Sequence, residues 1–306
     1  VNCKDDNKQT PLFYAAVQGA TRSIALLLSH KADPLCVDCN GQNALFYAVR
    51  AKASQTASVQ ALLQAAPGVG SVVGNDEQTA LFAAVRYGGT VETCAALIEG
   101  GLQVNHVDGV GHSALFWAAS QGRADLISFL LEQKAPANHV DKKGQTPLFF
   151  AASQGKPDCI KCLLNGNASA DLQDSNGDTA LFFAVGAKEK QAQCALELLL
   201  ACSGLANITT RKDGKTPLFG AVGFAGSGSP DTCAVLADHG CHLDQPDANG
   251  QTAIFFAAML GRVRHIELLL SKRATVDVQD NNGDTPLLYA AHYNQLEACR
   301  ILVTQG

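Results

Sequence analysis

Long apolar runs are missing from this 306-residue chain. No stretch approaches the roughly 18 apolar residues of a membrane span. An excess of positive charge is missing too. Against 23 Lys and Arg stand 28 Asp and Glu, a net charge of −5. That removes the electrostatic reason to expect nucleic acid or an anionic membrane surface as a partner. No signal-peptide pattern is visible. Aromatics are 6% of the chain, with one Trp and one Met. Cysteine is present, but not as a disulfide framework: the eleven residues are odd in number and scattered. Cys94, Cys159, Cys162, Cys233 and Cys299 fall in segments that should face a core, where a free thiol acts as a small apolar residue. This points to a reducing intracellular compartment, the cytoplasm first, with nucleus and organelle interiors open as well.

Cofactor and metal signals are equally thin. Cys36 and Cys39 form one C-x-x-C string and Cys159 and Cys162 another, but neither has a second pair at zinc-ribbon distance. Cys36 and Cys39 with Cys3 form the alternative site in space. Cys233, His239, Cys241 and His242 make the densest metal-type cluster, but His239 to His242 are expected in a loop, with side chains that diverge. The Gly-rich string at 223–229 lacks the preceding strand and the Gly-Lys-Ser/Thr or G-x-G-x-x-G pattern of a phosphate cradle. The expectation is therefore no cofactor, no metal and no catalytic residue. The carboxylates are mostly turn Asp residues.

What the sequence has in abundance is repetition. Leu-Phe or Ile-Phe recurs at Phe13, Phe46, Phe82, Phe116, Phe149, Phe182, Phe219 and Phe255, with Leu288 in ninth place, at spacings of 33, 36, 34, 33, 33, 37, 36 and 33. A period of this length means a stack of repeats, each burying its apolar side against its neighbours. With 47% hydrophobic residues the stack can build a continuous core. Residues 138–170 show one unit. Asp141 and Gly144 bracket a turn, and Thr146 caps a helix with Pro147 at its first position. Leu148, Phe149, Ala151 and Ala152 give that helix an apolar side, and Gly155 ends it. Pro157 opens a second helix carrying Ile160, Leu163 and Leu164 at helical spacing. The expectation is an all-α solenoid of helix-turn-helix units joined by β-turn loops. Units fall near 3–35, 36–70, 71–104, 105–137, 138–170, 171–206, 207–243, 244–276 and 277–306. Extra residues at 50–58, 186–193 and 223–231 are expected between first and second helices.

The strings DDNKQTPLFYAA, DKKGQTPLFFAA, DANGQTAIFFAA and DNNGDTPLLYAA, with five more in phase, resemble the ankyrin repeat, D-x-x-G-x-T-P-L-H-x-A-A followed by a Leu-rich helix. The turn Gly is replaced by Lys8 and Glu77 in two units. The family's His is Phe or Leu in every unit, so the polar link that this imidazole makes between repeats is expected to give way to apolar packing. Neither end has the polar outer face of a capping unit, so a longer natural chain, or a surface covering the ends, is expected.

The resemblance implies a non-catalytic protein-protein interaction module, an adaptor, scaffold or subunit of a complex, with its partner on the concave face. The alternative is a targeting or regulatory arm of a larger enzyme or membrane protein whose active part lies elsewhere. Carried over to this chain, the exposed pair of each unit follows the paired small residues of the first helix. These positions are small or polar at Ser120, Gln121, Ser153, Gln154, Gly186 and Ala187. In the last three units they become Phe224, Met259, Leu260, His292 and Tyr293, the residue types enriched at interface cores. Arg50, Arg86 and Tyr87 form a second candidate, suited to an acidic segment.

Overall fold

The computed structural model describes residues 1–66, 68–210, 212–223 and 228–305. Eighteen α-helices fall into nine pairs, and no strand occurs among the described residues. The first helices are Pro11–Val17, Ala44–Ala48, Ala80–Arg86, Ala114–Gln121, Pro147–Ser153, Ala180–Val185, Pro217–Val222, Ala253–Met259 and Pro286–His292. Their partners are Thr21–Ser29, Gln55–Ala65, Val91–Glu99, Ala124–Glu132, Pro157–Asn165, Gln191–Ala201, Pro230–Asp238, Val263–Ser271 and Leu296–Gln305. Contacts gather into two compact bodies, Val1–Lys142 with four pairs and Lys143–Gly306 with five. Inside each body, first helices pack on first helices of the next repeat and second on second.

The core follows from the repeat. Seven of the eight recurring Phe residues are about as buried as side chains become, at 1% exposure, and the Leu and Ala around them are equally enclosed. The exceptions are Phe182, which is half-buried, and Leu288 in ninth place, which is 52% exposed. Burying such a ring is worth about 1.5–3 kcal/mol. Cys94, Cys159 and Cys233 are buried as expected; Cys162 and Cys299 are only half-buried, while Cys194 and Cys241 join the core.

The turns are braced by carboxylates. Oδ1 of Asp38, Asp108, Asp174, Asp247 and Asp280 each accepts backbone N–H groups from two and four residues onward, at 2.8–3.1 Å. Successive turn tips are stitched backbone to backbone, as from Asn75 N–H to the Asn40 carbonyl (2.8 Å) and from Asn281 N–H to the Asn249 carbonyl (3.0 Å). Lys8 and Glu77 hold the turn-Gly place at φ of 62° and 60°, a left-handed conformation that an L side chain adopts at a cost.

Two expectations need correction. Thr146 does not cap its helix: its hydroxyl is buried without a hydrogen-bond partner, as are those of Thr10, Thr79, Ser113, Thr179, Thr216 and Thr252 at the equivalent place. The reason is local, because the Phe149 N–H that the hydroxyl would take is held by the Thr146 carbonyl at 3.0 Å. The extra residues of repeats two and six also do not sit wholly between helices. Residues 55–58 and 191–193 belong to the second helix, which reaches 11 residues in both repeats and is followed by 3-10 turns at Val69–Ser71 and Ser203–Asn207.

Candidate functional site

In the first body the sequence candidates come together. The Arg50 guanidinium lies over the rings of Tyr47 (5.1 Å) and Tyr87 (4.6 Å), and Arg86 lies over Tyr87 (5.7 Å) and Trp117 (5.1 Å). The result is an alternating ladder, Tyr47–Arg50–Tyr87–Arg86–Trp117, crossing repeats two to four. Arg50 is half-buried and donates to Gln42 Oε1 at 2.8 Å, whereas Arg86 and Tyr87 are exposed. Each ring–guanidinium contact is worth about 0.5–1 kcal/mol at such sites, so the ladder holds two cations in place.

In the second body, His292 and Tyr293 meet edge to face at 5.0 Å. With Asp284, Leu288 and Tyr289 they line a hollow of about 350 Å³. Met259 and Leu260 sit at the corresponding end of the preceding first helix, Met259 half-buried and Leu260 38% exposed; they do not line that hollow. Phe224 lies outside the described residues, as do Ala225, Gly226 and Ser227 of the Gly-rich string.

Two columns escaped the sequence reading. One follows the recurring Phe directly: Tyr14, Tyr47, Ala83, Trp117, Phe150, Phe183, Gly220, Phe256 and Tyr289. Its aromatics meet the recurring Phe of the preceding repeat edge to face: Phe13 on Tyr47 (5.2 Å), Phe149 on Phe183 (5.3 Å), Phe219 on Phe256 (5.4 Å) and Phe255 on Tyr289 (5.5 Å). This is the apolar link between repeats, and it presents a second ring beside the buried one. Tyr47 and Tyr289 also donate to the turn carboxylates Asp38 (2.6 Å) and Asp280 (2.9 Å). Burial, with these bonds, pushes both phenols up to about 12. Reading the aligned strings one place further on would have shown the column.

The other column precedes the Thr or Ser before the first helix, and in repeats three, four, five, seven and eight it reaches the turn Asp of the next. Gln78 reaches Asp108 Oδ2 (3.5 Å), His112 Asp141 (3.2 Å), Gln145 Asp174 (3.0 Å) and Gln251 Asp280 (3.2 Å). Lys215 lies 3.5 Å from Asp247 Oδ2. A polar link between repeats therefore exists, but at a different place from the missing imidazole.

The metal-type groupings do not assemble: among the described residues no cluster of three or more His, Cys, Asp or Glu could hold an ion. Cys233 is buried, and the His239 ring faces its own helix at the Val235 carbonyl, 2.8 Å away.

A family model for ankyrin repeats, three copies at a time, matches residues 1–72, 51–140, 115–204, 158–247, 187–280 and 224–306. The chain belongs to the ankyrin repeat family. Ankyrin repeats are in general non-catalytic modules that bind other proteins. This array is 33% identical over 83 residues to serine/threonine-protein kinase 12 of Arabidopsis thaliana, covering 27% of this chain and 18% of that one. It is 44% identical over 55 residues to protein phosphatase 1 regulatory subunit 12A of Mus musculus (18% and 5%). It is 35% identical over 93 residues to SH3 and multiple ankyrin repeat domains protein 2 of Homo sapiens (30% and 5%). The array thus spans less than a fifth of each of these relatives. No helix among the described residues is long and apolar enough to cross a membrane.

Proposed function

We propose that this ankyrin array is a non-catalytic recognition module, an adaptor, scaffold or subunit that binds a protein partner along the exposed side of its first helices. The observation that carries this reading is the ladder of Arg50, Tyr87, Arg86 and their neighbouring rings. Arg and Tyr are the residues on which binding energy concentrates, and here they are held in fixed positions before any partner arrives. An acidic segment is the matching partner chemistry for this part. The second contact region is Met259, Leu260, His292 and Tyr293, with Phe224 of repeat seven proposed from sequence alone.

The test is capture by the whole chain from lysate, repeated with Arg86→Ala/Tyr87→Ala and with Met259→Ser/Leu260→Ser/Tyr293→Ala, alongside melting curves. Loss of specific captured proteins at unchanged melting supports the reading. Unchanged capture with lowered melting assigns these side chains to packing instead. A second reading, a targeting or regulatory arm of a larger protein, is favoured by the kinase and the phosphatase regulatory subunit among the relatives. The full open reading frame separates the two.

A further inference from the structure

Both inter-repeat columns are interrupted between repeats six and seven, as they are between repeats two and three, where Ala83 takes the ring place and Gly74 the turn-Asp place. In the aromatic column, repeat seven has Gly220 where a ring would cover Phe182. Phe182 is the one recurring Phe that is not fully buried, whereas Phe46, which has Ala83 in place of a ring, is 1% exposed. Nor can a side chain be added cheaply, since a Cβ on Gly220 would lie 2.7 Å from Val185 Cγ2. In the polar column, repeat six has Asp178, an acceptor where the other links have donors or a cation. In repeat seven the place of the turn Asp is taken by Arg211, which lies outside the described residues; beside it the Thr210 hydroxyl takes the Lys215 N–H at 3.3 Å. Asp178 Oδ1 is buried and has no hydrogen-bond partner.

A cavity of about 360 Å³ opens at this double break. Its apolar walls include Phe182, Phe183 and Phe219, and Asp178 and Asp213 stand on its polar side. The small residues Ser153 and Gly186 complete its edge, which gives the small positions of repeats five and six a role. Lys215 is the cation described in its lining, and it is drawn between Asp213 (3.6 Å) and Asp247 (3.5 Å). Burial first, then the charges of Asp174 and Asp213, raises the Asp178 pKa above the ordinary carboxylate value. Among the described lining residues two carboxylates, Asp178 and Asp213, and one cation, Lys215, stand beside aromatic walls.

We infer that this cavity is a socket for an arginine side chain of a protein partner, with its flat guanidinium against the Phe walls and its N–H groups donating to Asp178 and Asp213. The inference rests on the recognition reading above and gives one partner residue its chemistry. Arginine fits better than lysine because its planar, weakly hydrated head stacks on rings and forks across carboxylates, which a compact ammonium does not. A purely apolar side chain would leave the buried Asp178 oxygen unpaired, and that costs affinity.

The test uses the whole chain with Phe labelled by carbon-13, titrated with N-acetyl-L-arginine methylamide and with its lysine, citrulline and norleucine counterparts. The expected result is saturable shifts confined to Phe182, Phe183 and Phe219, with citrulline, which has nearly the same shape but no charge, weaker by about tenfold. Asp178→Asn removes the charge beside the partnerless Oδ1 and should abolish the preference for arginine over citrulline. Absence of saturable shifts, equal response to norleucine, lysine or citrulline, or an unchanged preference in Asp178→Asn would overturn the socket. If that variant fails to fold, the ligand series on the unaltered chain decides alone. Protein capture that survives a negative result leaves the recognition reading standing and removes only this inference.

Discussion

Phe149 meets Phe183 of the next repeat edge to face, with centroids 5.3 Å apart and planes at 69°. The first ring is buried and the second half-buried, so one contact closes the core and supports the exposed side at once. The same geometry links Phe255 to Tyr289 at 5.5 Å and 87°. It is absent beyond Phe182, where Gly220 offers no ring.

Truncating these rings should give graded losses. Phe149→Ala should cost about 3–5 kcal/mol, and Phe182→Ala at most about half as much because the ring is already part-exposed. A double-mutant cycle on Phe149 and Phe183 should return a coupling of about 0.5–1.5 kcal/mol. Urea unfolding followed by circular dichroism reads all of these; equal losses at Phe149 and Phe182 would contradict the uncovered place beside Gly220.

The partnerless hydroxyl of Thr146 makes the opposite kind of prediction. Thr146→Val keeps the shape and removes a buried polar group that bonds to nothing. Stability should stay level or rise by up to about 1 kcal/mol. At Asn43, whose side chain accepts the Leu45 N–H at 3.1 Å and donates to the Val69 carbonyl at 2.8 Å, truncation to Ala should instead cost about 1–3 kcal/mol. Unfolding curves for both variants check the contrast.

His265 is buried and its Nε2 has no partner. Burial, then the nearby Arg262, lowers its pKa from the ordinary value of 6.5. The unfolded chain therefore takes up this proton first as pH falls. The contribution of neutral His265 to stability is complete above the unfolded value and is lost progressively below it, toward the depressed folded value. Melting temperatures compared at about pH 7.5 and about pH 5.5 should fall further for the natural chain than for His265→Gln. Parallel falls would show that His265 is not responsible.

Burial pushes the thiols of Cys94, Cys194, Cys233 and Cys241 up to about 12, while Cys3 and Cys39 are exposed. Since the thiolate is the reactive form, a disulfide reagent at neutral pH should modify Cys3 and Cys39 at least about tenfold faster than the four buried residues. Mass mapping of the modified sites over time reads this order directly.

Period, helix pairing and the recurring buried Phe were all legible in the sequence, because a repeat that must bury one side against its neighbours shows that side at fixed spacing. So was the grouping of Arg50, Arg86 and Tyr87, through their equivalent places in consecutive repeats. Thr146 suits a cap by its side chain, but its own carbonyl takes the available N–H. The ring column also stands in the sequence, but an aromatic beside a core Phe reads as more core until its exposure is known.

The sequence by itself determined the family, the all-α repeat and what lies inside, because those depend on local pattern and on neighbours at constant offset. Tertiary structure alone decided which breaks in that pattern coincide. Gly220 and Asp178 are 42 residues apart and belong to different columns. Only the stacking of repeat seven on repeat six brings the missing ring and the partnerless Asp178 Oδ1 to one cavity.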